Sequence, residues 1–137
     1  MISPTGREVR KSDRWGFGTY GASRSKTVKG KLVKYVHAGA DYICTPGQGV
    51  VSPINGKVIR IAKPYANETF SGLVIRGARI TVKMFYFNPL HNIVGKTVKR
   101  GDLIGHAQDV GQVYPGITPH VHLQIDSIDP EILMDIP

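Results

Sequence analysis

A single cysteine, Cys44, stands in the 137 residues, so no disulfide framework can hold this chain together and the redox compartment stays open. Nor does any apolar run approach the roughly 20 residues of a membrane-spanning helix, which excludes a span of that kind. No basic-then-apolar leader with a small-residue cleavage site opens the chain, so no Sec signal is expected. Helical periodicity is almost missing, and there is no internal repeat, low-complexity tract or linker. The length suits one compact domain, large enough to bury a core without disulfides or oligomerisation.

Acidic residues are scarce at one end. Residues 1–34 hold Glu8 and Asp13 against Arg7, Arg10, Lys11, Arg14, Arg24, Lys26, Lys29, Lys31 and Lys34, so +7 of the formal net charge of +8 lies there. The last twelve residues reverse the sign, with Asp126, Asp129, Glu131 and Asp135 and no cation. The chain therefore reads as a basic, loop-rich arm over 1–34, a nearly neutral body over 35–126 and an acidic tail over 127–137. A basic arm steers a protein toward an anionic partner: nucleic acid, a membrane surface or a bacterial envelope.

What fills the body is strand. Sixteen Gly and nine Pro punctuate the sequence, and the segments between them alternate or run apolar with β-branched residues. The pattern predicts strands over Gly49–Ser52, Lys57–Ala62, Leu73–Arg76, Ile80–Phe87, Leu103–His106 and Val121–Ile125. Asn55-Gly56 is a tight-turn signal between the first two, and Thr97–Gly105 reads as a turn feeding a short strand. The fold class is all-β.

Five histidines are present: His37, His91, His106, His120 and His122. His37-Ala-Gly-Ala-Asp41 places an imidazole and a carboxylate four apart. On an extended strand they would lie about 13 Å from each other, too far for one ion. They converge only if the backbone folds back, which Gly39 permits. In His120-Val-His122 the two imidazoles project to the same side of a strand, so one can ligate a metal while the other stands beside it. Two nitrogens and one carboxylate suit zinc at a four-coordinate site with one position left for water. The unligated imidazole is then placed to act as general base or to stabilise an oxyanion.

At these residues the chain resembles the lysostaphin-type zinc metallopeptidases, which are peptidoglycan endopeptidases. The likeness is carried by His37-x-Gly-x-Asp41, Thr45-Pro-Gly-x-Gly-Val-Val-Ser-Pro-Ile-Asn-Gly-Lys-Val-Ile59, Val98-Lys-Arg-Gly-Asp-Leu-Ile-Gly105 and Pro119-His-Val-His-Leu-Gln-Ile125. Three further stretches, Asp13–Ser25, Val82–Tyr86 and Val113–Ile117, resemble a branch of that group regarded as non-enzymatic. The resemblance implies an antiparallel β-sheet core with a groove, one zinc held by His37, Asp41 and His122, and His120 as the catalytic histidine. Active members carry a further His in a Tyr-x-His stretch. Here that stretch is Phe85-Tyr-Phe-Asn88, so Asn88 stands in the catalytic position, with His91 three residues on as its substitute. An amide hydrogen-bonds an oxyanion but exchanges no proton at neutral pH.

Tyr86 and Tyr114 are candidates for the walls of the groove. Trp15, Phe17 and Tyr20 belong, by the resemblance, to a lid-like segment near it. Cys44 and His106 read as structural, the first as a buried, inert thiol. The function implied is a zinc-dependent endopeptidase that hydrolyses peptide cross-links of bacterial peptidoglycan, a phage or bacterial lysin. Its alternative is a non-catalytic zinc-binding recognition module of the same fold. A nucleic-acid reading would need cations interleaved with stacking aromatics on one sheet face, and the predicted strands are nearly neutral. The expected partner is peptidoglycan, met by a monomer or by part of a larger assembly. The expected place of action is the cell wall or periplasm, reached on lysis, by a dedicated secretion machine or on a virion.

Overall fold

Eleven strands fall among residues 1–133, which the computed structural model describes. They are β1 (Ser23–Val28), β2 (Lys31–Val36), β3 (Ala40–Ile43), β4 (Gly49–Val51), β5 (Gly56–Ala62), β6 (Gly72–Arg76), β7 (Ile80–Phe85), β8 (Phe87–Pro89), β9 (Thr97–Val98), β10 (Leu103–Ala107) and β11 (His120–Ile128). All pairings are antiparallel. A six-stranded sheet runs β3-β11-β7-β6-β5-β9, a three-stranded sheet runs β4-β10-β8, and β1 and β2 pair only with each other.

Core residues come from both larger sheets. Val58, Leu73, Ile75, Val82, Met84, Val121 and Leu123 of the first join Val50, Phe87, Ile104 and Ala107 of the second in one buried cluster. Each such side chain withdrawn from water contributes about 1.5–3 kcal/mol, less for Ala. The two-residue alternation of a strand then fixes what faces the other way. On β11, Val121 and Leu123 enter the core, so His120 and His122 project from the opposite face. That alternation positions the site.

The six predicted strands are present, with ends moved by one to three residues. One of them is divided. Ile80–Phe87 breaks at Tyr86, whose φ is +78°, because Tyr86 N and Phe87 N both donate to the Ser71 carbonyl, at 2.7 and 3.2 Å. The kink lets the chain leave the six-stranded sheet and insert Phe87 between the sheets. Asn55-Gly56 is not a hairpin turn, since β4 and β5 belong to different sheets. Asn55 Oδ1 instead accepts from Arg100 N at 2.8 Å, and a Cβ on Gly56 would lie 2.5 Å from the Arg76 carbonyl oxygen.

The arm over 1–34 is loop-rich and also contains β1 and most of β2, joined by Lys29-Gly30 with φ of 51° and 77°. Positive φ at both positions is the type I′ turn, which matches strand twist. The acidic stretch expected from 127 begins inside β11, which runs to Ile128, and its Asp135 lies outside the described residues. Of the remaining strands, β3 and β9 are absent from the prediction and β8 enters it only through Phe87; they have four, two and three residues. Such segments are too short to show a period. No helix of the described residues is long and apolar enough to cross a membrane.

Candidate metal centre and groove

β11 and β3 bring two of the candidate ligands together. Their register sets His122 opposite Asp41 and His120 opposite Ile43. His37 lies just after β2, and the bend Ala38-Gly39 turns the chain back before β3 starts. Gly39 is required there for room rather than for a special φ. A Cβ at that position would meet the Leu123 carbonyl oxygen at 2.5 Å and His122 Cε1 at 2.8 Å.

Three donor atoms converge as a result. His37 Nε2 lies 3.1 Å from His122 Nδ1 and 3.1 Å from Asp41 Oδ1, and His122 Nδ1 lies 3.0 Å from that oxygen. All three residues are buried. Bonds of 2.0–2.1 Å in a tetrahedron separate neighbouring donors by about 3.3 Å, so this triangle fits a zinc ion, and two imidazoles with one carboxylate are its customary donor set.

The surroundings select which nitrogen faces the triangle. The Thr19 carbonyl lies 3.0 Å from His37 Nδ1; a carbonyl only accepts, so Nδ1 carries the proton and Nε2 keeps its lone pair. For His122 the roles are reversed. Its Nε2 donates to Gln124 Oε1 at 2.8 Å, leaving Nδ1 as the donor toward the triangle. Such outer partners fix tautomer and ring orientation at metal sites. The Phe85 ring stacks on His122, with centroids 5.5 Å apart and planes 18° apart.

Asp41 is anchored through its other oxygen, Oδ2, which accepts from Arg10 Nε at 3.1 Å. The same guanidinium donates through Nη1 to Asp13 Oδ2 at 3.1 Å and to the Gly16 carbonyl at 2.8 Å. Burial alone would raise the Asp41 carboxyl. The His122 and His37 imidazoles against Oδ1, and His120 beside Oδ2, outweigh burial and hold it well below the usual carboxylate range.

His120 stands beside the triangle, Nε2 3.5 Å from Asp41 Oδ2. Its Nδ1 donates to the Thr118 carbonyl at 2.8 Å, which leaves Nε2 as an acceptor in the neutral ring. Burial lowers its pKa, against the opposing pull of Asp41. The Tyr86 ring meets His120 edge-on, centroids 5.3 Å apart. From Tyr86 a line of phenols crosses the groove: Tyr65 Oη lies 3.2 Å from Tyr86 Oη, and Tyr114 donates to Tyr65 at 2.5 Å. Burial pushes Tyr86 up to about 12 and raises the other two as well.

These groups line a groove of about 690 Å³. Tyr86 and Tyr114 are in its wall, as are Arg10, Arg14 and Trp15 of the N-terminal segment. That segment is strapped to the far side. Trp15 Nε1 donates to the Pro115 carbonyl at 2.9 Å, and Asp13 Oδ2 accepts from Thr118 N at 2.9 Å. Phe17 and Tyr20 are exposed and do not line the groove.

Asn88 and His91 are not brought to the site. Asn88 is exposed on β8, where its Oδ1 accepts from Gln108 Nε2 at 3.1 Å. His91 is exposed in the turn that follows, and neither lines the groove. His106 is exposed on β10. Cys44 is buried in the core, its thiol pushed up to about 11 by burial. Sequence reasoning missed Arg10, Thr19, Tyr65 and Gln124. Gln124 alone left a trace, two residues beyond His122 on the same face of β11.

The chain matches known proteins in both sequence and fold. The family model for peptidase family M23 matches residues 35–131. The chain is 33% identical over 131 residues to leukocyte cell-derived chemotaxin-2 of Mus musculus, covering 93% of this chain and 80% of that protein. It is equally identical, over 131 residues, to myeloid protein 1 of Gallus gallus, of which it covers 38%. Among solved structures it is similar to a zinc-containing peptidase from Vibrio cholerae, with a TM-score of 0.55 and 26% identity over 90% of this chain and 36% of that one. It thus spans about a third of that peptidase. The catalytic domain of lysostaphin from Staphylococcus simulans has the same fold, with a TM-score of 0.53 at 21% identity over 93% of this chain and 98% of that one.

Proposed function

The chain belongs to peptidase family M23, and from that membership we propose that it is a zinc-dependent endopeptidase acting on the peptide cross-links of bacterial peptidoglycan. The observation that carries the reading is the triangle of His37 Nε2, Asp41 Oδ1 and His122 Nδ1, with edges of 3.0–3.1 Å, opening on a groove beside a fourth buried group, His120. The triangle would hold the ion; zinc bound there supplies a Lewis acid for a peptide carbonyl and acidifies water.

The chain's own residues supply the proton handling. Neutral His120, its Nδ1–H fixed on Thr118, takes a proton from the attacking water at Nε2. The imidazolium so formed faces Asp41 Oδ2, 3.5 Å away, which stabilises the charge until the proton passes to the leaving amine. Arg10 and Gln124 hold the ligands still, so little reorganisation accompanies the reaction. The place of action in this reading is the cell wall.

A second reading is favoured by Asn88. In its exposed position on β8 it provides no proton-transfer group, and His37, His120 and His122 are the only histidines that line the groove among the described residues. The same fold would then bind zinc and a peptide ligand without turnover. Digestion of purified peptidoglycan by the zinc-loaded protein, with mass spectrometry of the released fragments, separates the two. New amino termini in the stem or cross-bridge peptides, lost in His120→Ala with zinc content retained, establish the endopeptidase. One zinc per chain and no fragments from several wall types establish the recognition module.

A further inference from the structure

The β1–β2 hairpin carries Arg24, Lys26, Lys29, Lys31 and Lys34 and no carboxylate. Among the described residues none of these five cations is in an ion pair. Every residue of β2 is exposed, as is all of β1 but Arg24; Arg24 Nη2 donates to the Phe17 carbonyl at 2.8 Å, while the four lysines neutralise nothing among the described residues.

Register sorts them. Arg24 pairs with Tyr35, Lys26 with Val33 and Lys31 with Val28. These are alternate rungs of an antiparallel ladder, so all three project from one face. Each rung sets one cation beside one apolar side chain, and the row advances about 7 Å per rung. Lys29 adds a further cation at the tip. That lysine adopts φ 51°, where Asn is the usual choice for a type I′ turn, at a cost of about 1 kcal/mol. Being exposed, it recovers none of that by packing. At its other end the hairpin runs into the groove, which Ser23, Arg24, Ser25, Tyr35 and Val36 help to line.

We propose that this face of the hairpin docks a linear phosphodiester polyanion, the polyol-phosphate chains borne by peptidoglycan, and so delivers the wall to the groove. The choice of polymer rests on the cell-wall reading above; the charge row and its continuity with the groove are independent of it. Two other polyanionic surfaces fit less well. Nucleic acid would use a bare aromatic platform, but the Lys26 ammonium lies over the Tyr35 ring, 5.2 Å from its centroid. A membrane would take up an apolar tip or face, but the tip is Lys29-Gly30-Lys31 and each rung of the cationic face carries a charge.

The test compares the zinc-loaded wild-type chain with the triple variant Lys26→Gln, Lys29→Asn, Lys31→Gln, none of which lines the groove. Cosedimentation is measured on walls carrying polyol-phosphate chains and on the same walls after hydrofluoric acid has removed them. The variant is expected to bind the intact walls roughly tenfold or more weakly at low salt, with the slope of log affinity against log salt lower by about 2. Both proteins are expected to bind the stripped walls alike. Equal affinity of the two proteins for intact walls overturns the proposal. So does tighter wild-type binding to phosphatidylglycerol vesicles or to single-stranded DNA at matched salt. Fragment release from stripped walls is followed in parallel. If nothing is hydrolysed but the binding pattern holds, the endopeptidase reading falls and the docking face stands. If hydrolysis occurs without the binding pattern, only the docking face falls.

Discussion

Arg10 holds Asp41 twice. Its Nε donates to Asp41 Oδ2 at 3.1 Å, and its backbone N donates to the Asp41 carbonyl at 2.7 Å. Both side chains are almost wholly withdrawn from water. Removing one partner of such a pair strands the other as a buried charge, at a cost of about 3–5 kcal/mol. Arg10→Met is therefore expected to lower the stability of the chelator-treated protein by about that amount in urea titrations. Arg10→Lys should recover only part of it, because a lysine cannot span Asp41, Asp13 and the Gly16 carbonyl with one planar fork. Unfolding within 0.5 kcal/mol of wild type (about one measurement error) would show that Asp41 needs no guanidinium.

The role assigned to Gln124 gives a measurement on the metal alone. With its Oε1 gone, nothing selects the His122 tautomer that presents Nδ1 to His37 and Asp41. Loss of an outer partner of this kind typically costs 10–100-fold in metal affinity. Gln124→Leu is expected to weaken zinc binding by about that range in competition with a chromogenic chelator, whereas Gln124→Glu keeps an acceptor and should stay near wild type. Equal affinity for both variants would remove Gln124 from the site.

Legibility in the sequence followed distance along the chain. His120-Val-His122 was readable because a strand alternates, and Val121 and Leu123 entering the core turn both imidazoles the other way. His37 and Asp41 were readable as a pair that needs a fold-back at Gly39, though the glycine is there because the Leu123 carbonyl passes so close. Arg10 and Thr19 were illegible, since their partners lie 31 and 18 residues away and no local pattern records that. The hairpin was hidden for another reason. Its strands, Ser-Arg-Ser-Lys-Thr-Val and Lys-Leu-Val-Lys-Tyr-Val, form a ribbon exposed on both sides, so burial imposes no apolar face and no polar-apolar alternation, and Lys29-Gly30 lacks the Asn-Gly signature. Likewise the kink at Tyr86 depends on two amides meeting the Ser71 carbonyl, which a strand period continues through.

Acid should reveal the strap over the groove. Burial alone would raise the Asp13 carboxyl, but the Thr118 and Trp15 amides and the Arg10 guanidinium outweigh burial and hold its pKa below the usual carboxylate value. A depressed pKa contributes stability that is fully present above the unfolded value of about 3.9 and is lost as pH falls through the folded one. The difference in Tm between wild type and Asp13→Asn is thus expected to be constant from neutral pH down to about 5 and to shrink below about 4. Taking the difference cancels the other carboxylates, Asp41 among them. A gap that widens in acid would reverse the sign of the assignment.

Packing behind the site is tested at Gly72, opposite Phe85 on the neighbouring strand. A Cβ there would sit 1.8 Å from the Met84 carbonyl oxygen and 2.9 Å from Phe85 Cα, and both are backbone that cannot swing aside. Gly72→Ala must therefore push β6 and β7 apart, at a cost of about 3 kcal/mol. The displacement is passed to Phe85, whose ring stacks on His122, so zinc affinity should fall together with stability. Gly47→Ala is the control for glycine removal as such. It has φ +86° and nothing within 4 Å of the added carbon, so the left-handed conformation alone is charged to it, about 1–2 kcal/mol, with zinc affinity unchanged. Equal losses of stability in the two variants, or an unchanged zinc affinity in Gly72→Ala, would show that the stacking of Phe85 does not set the position of His122.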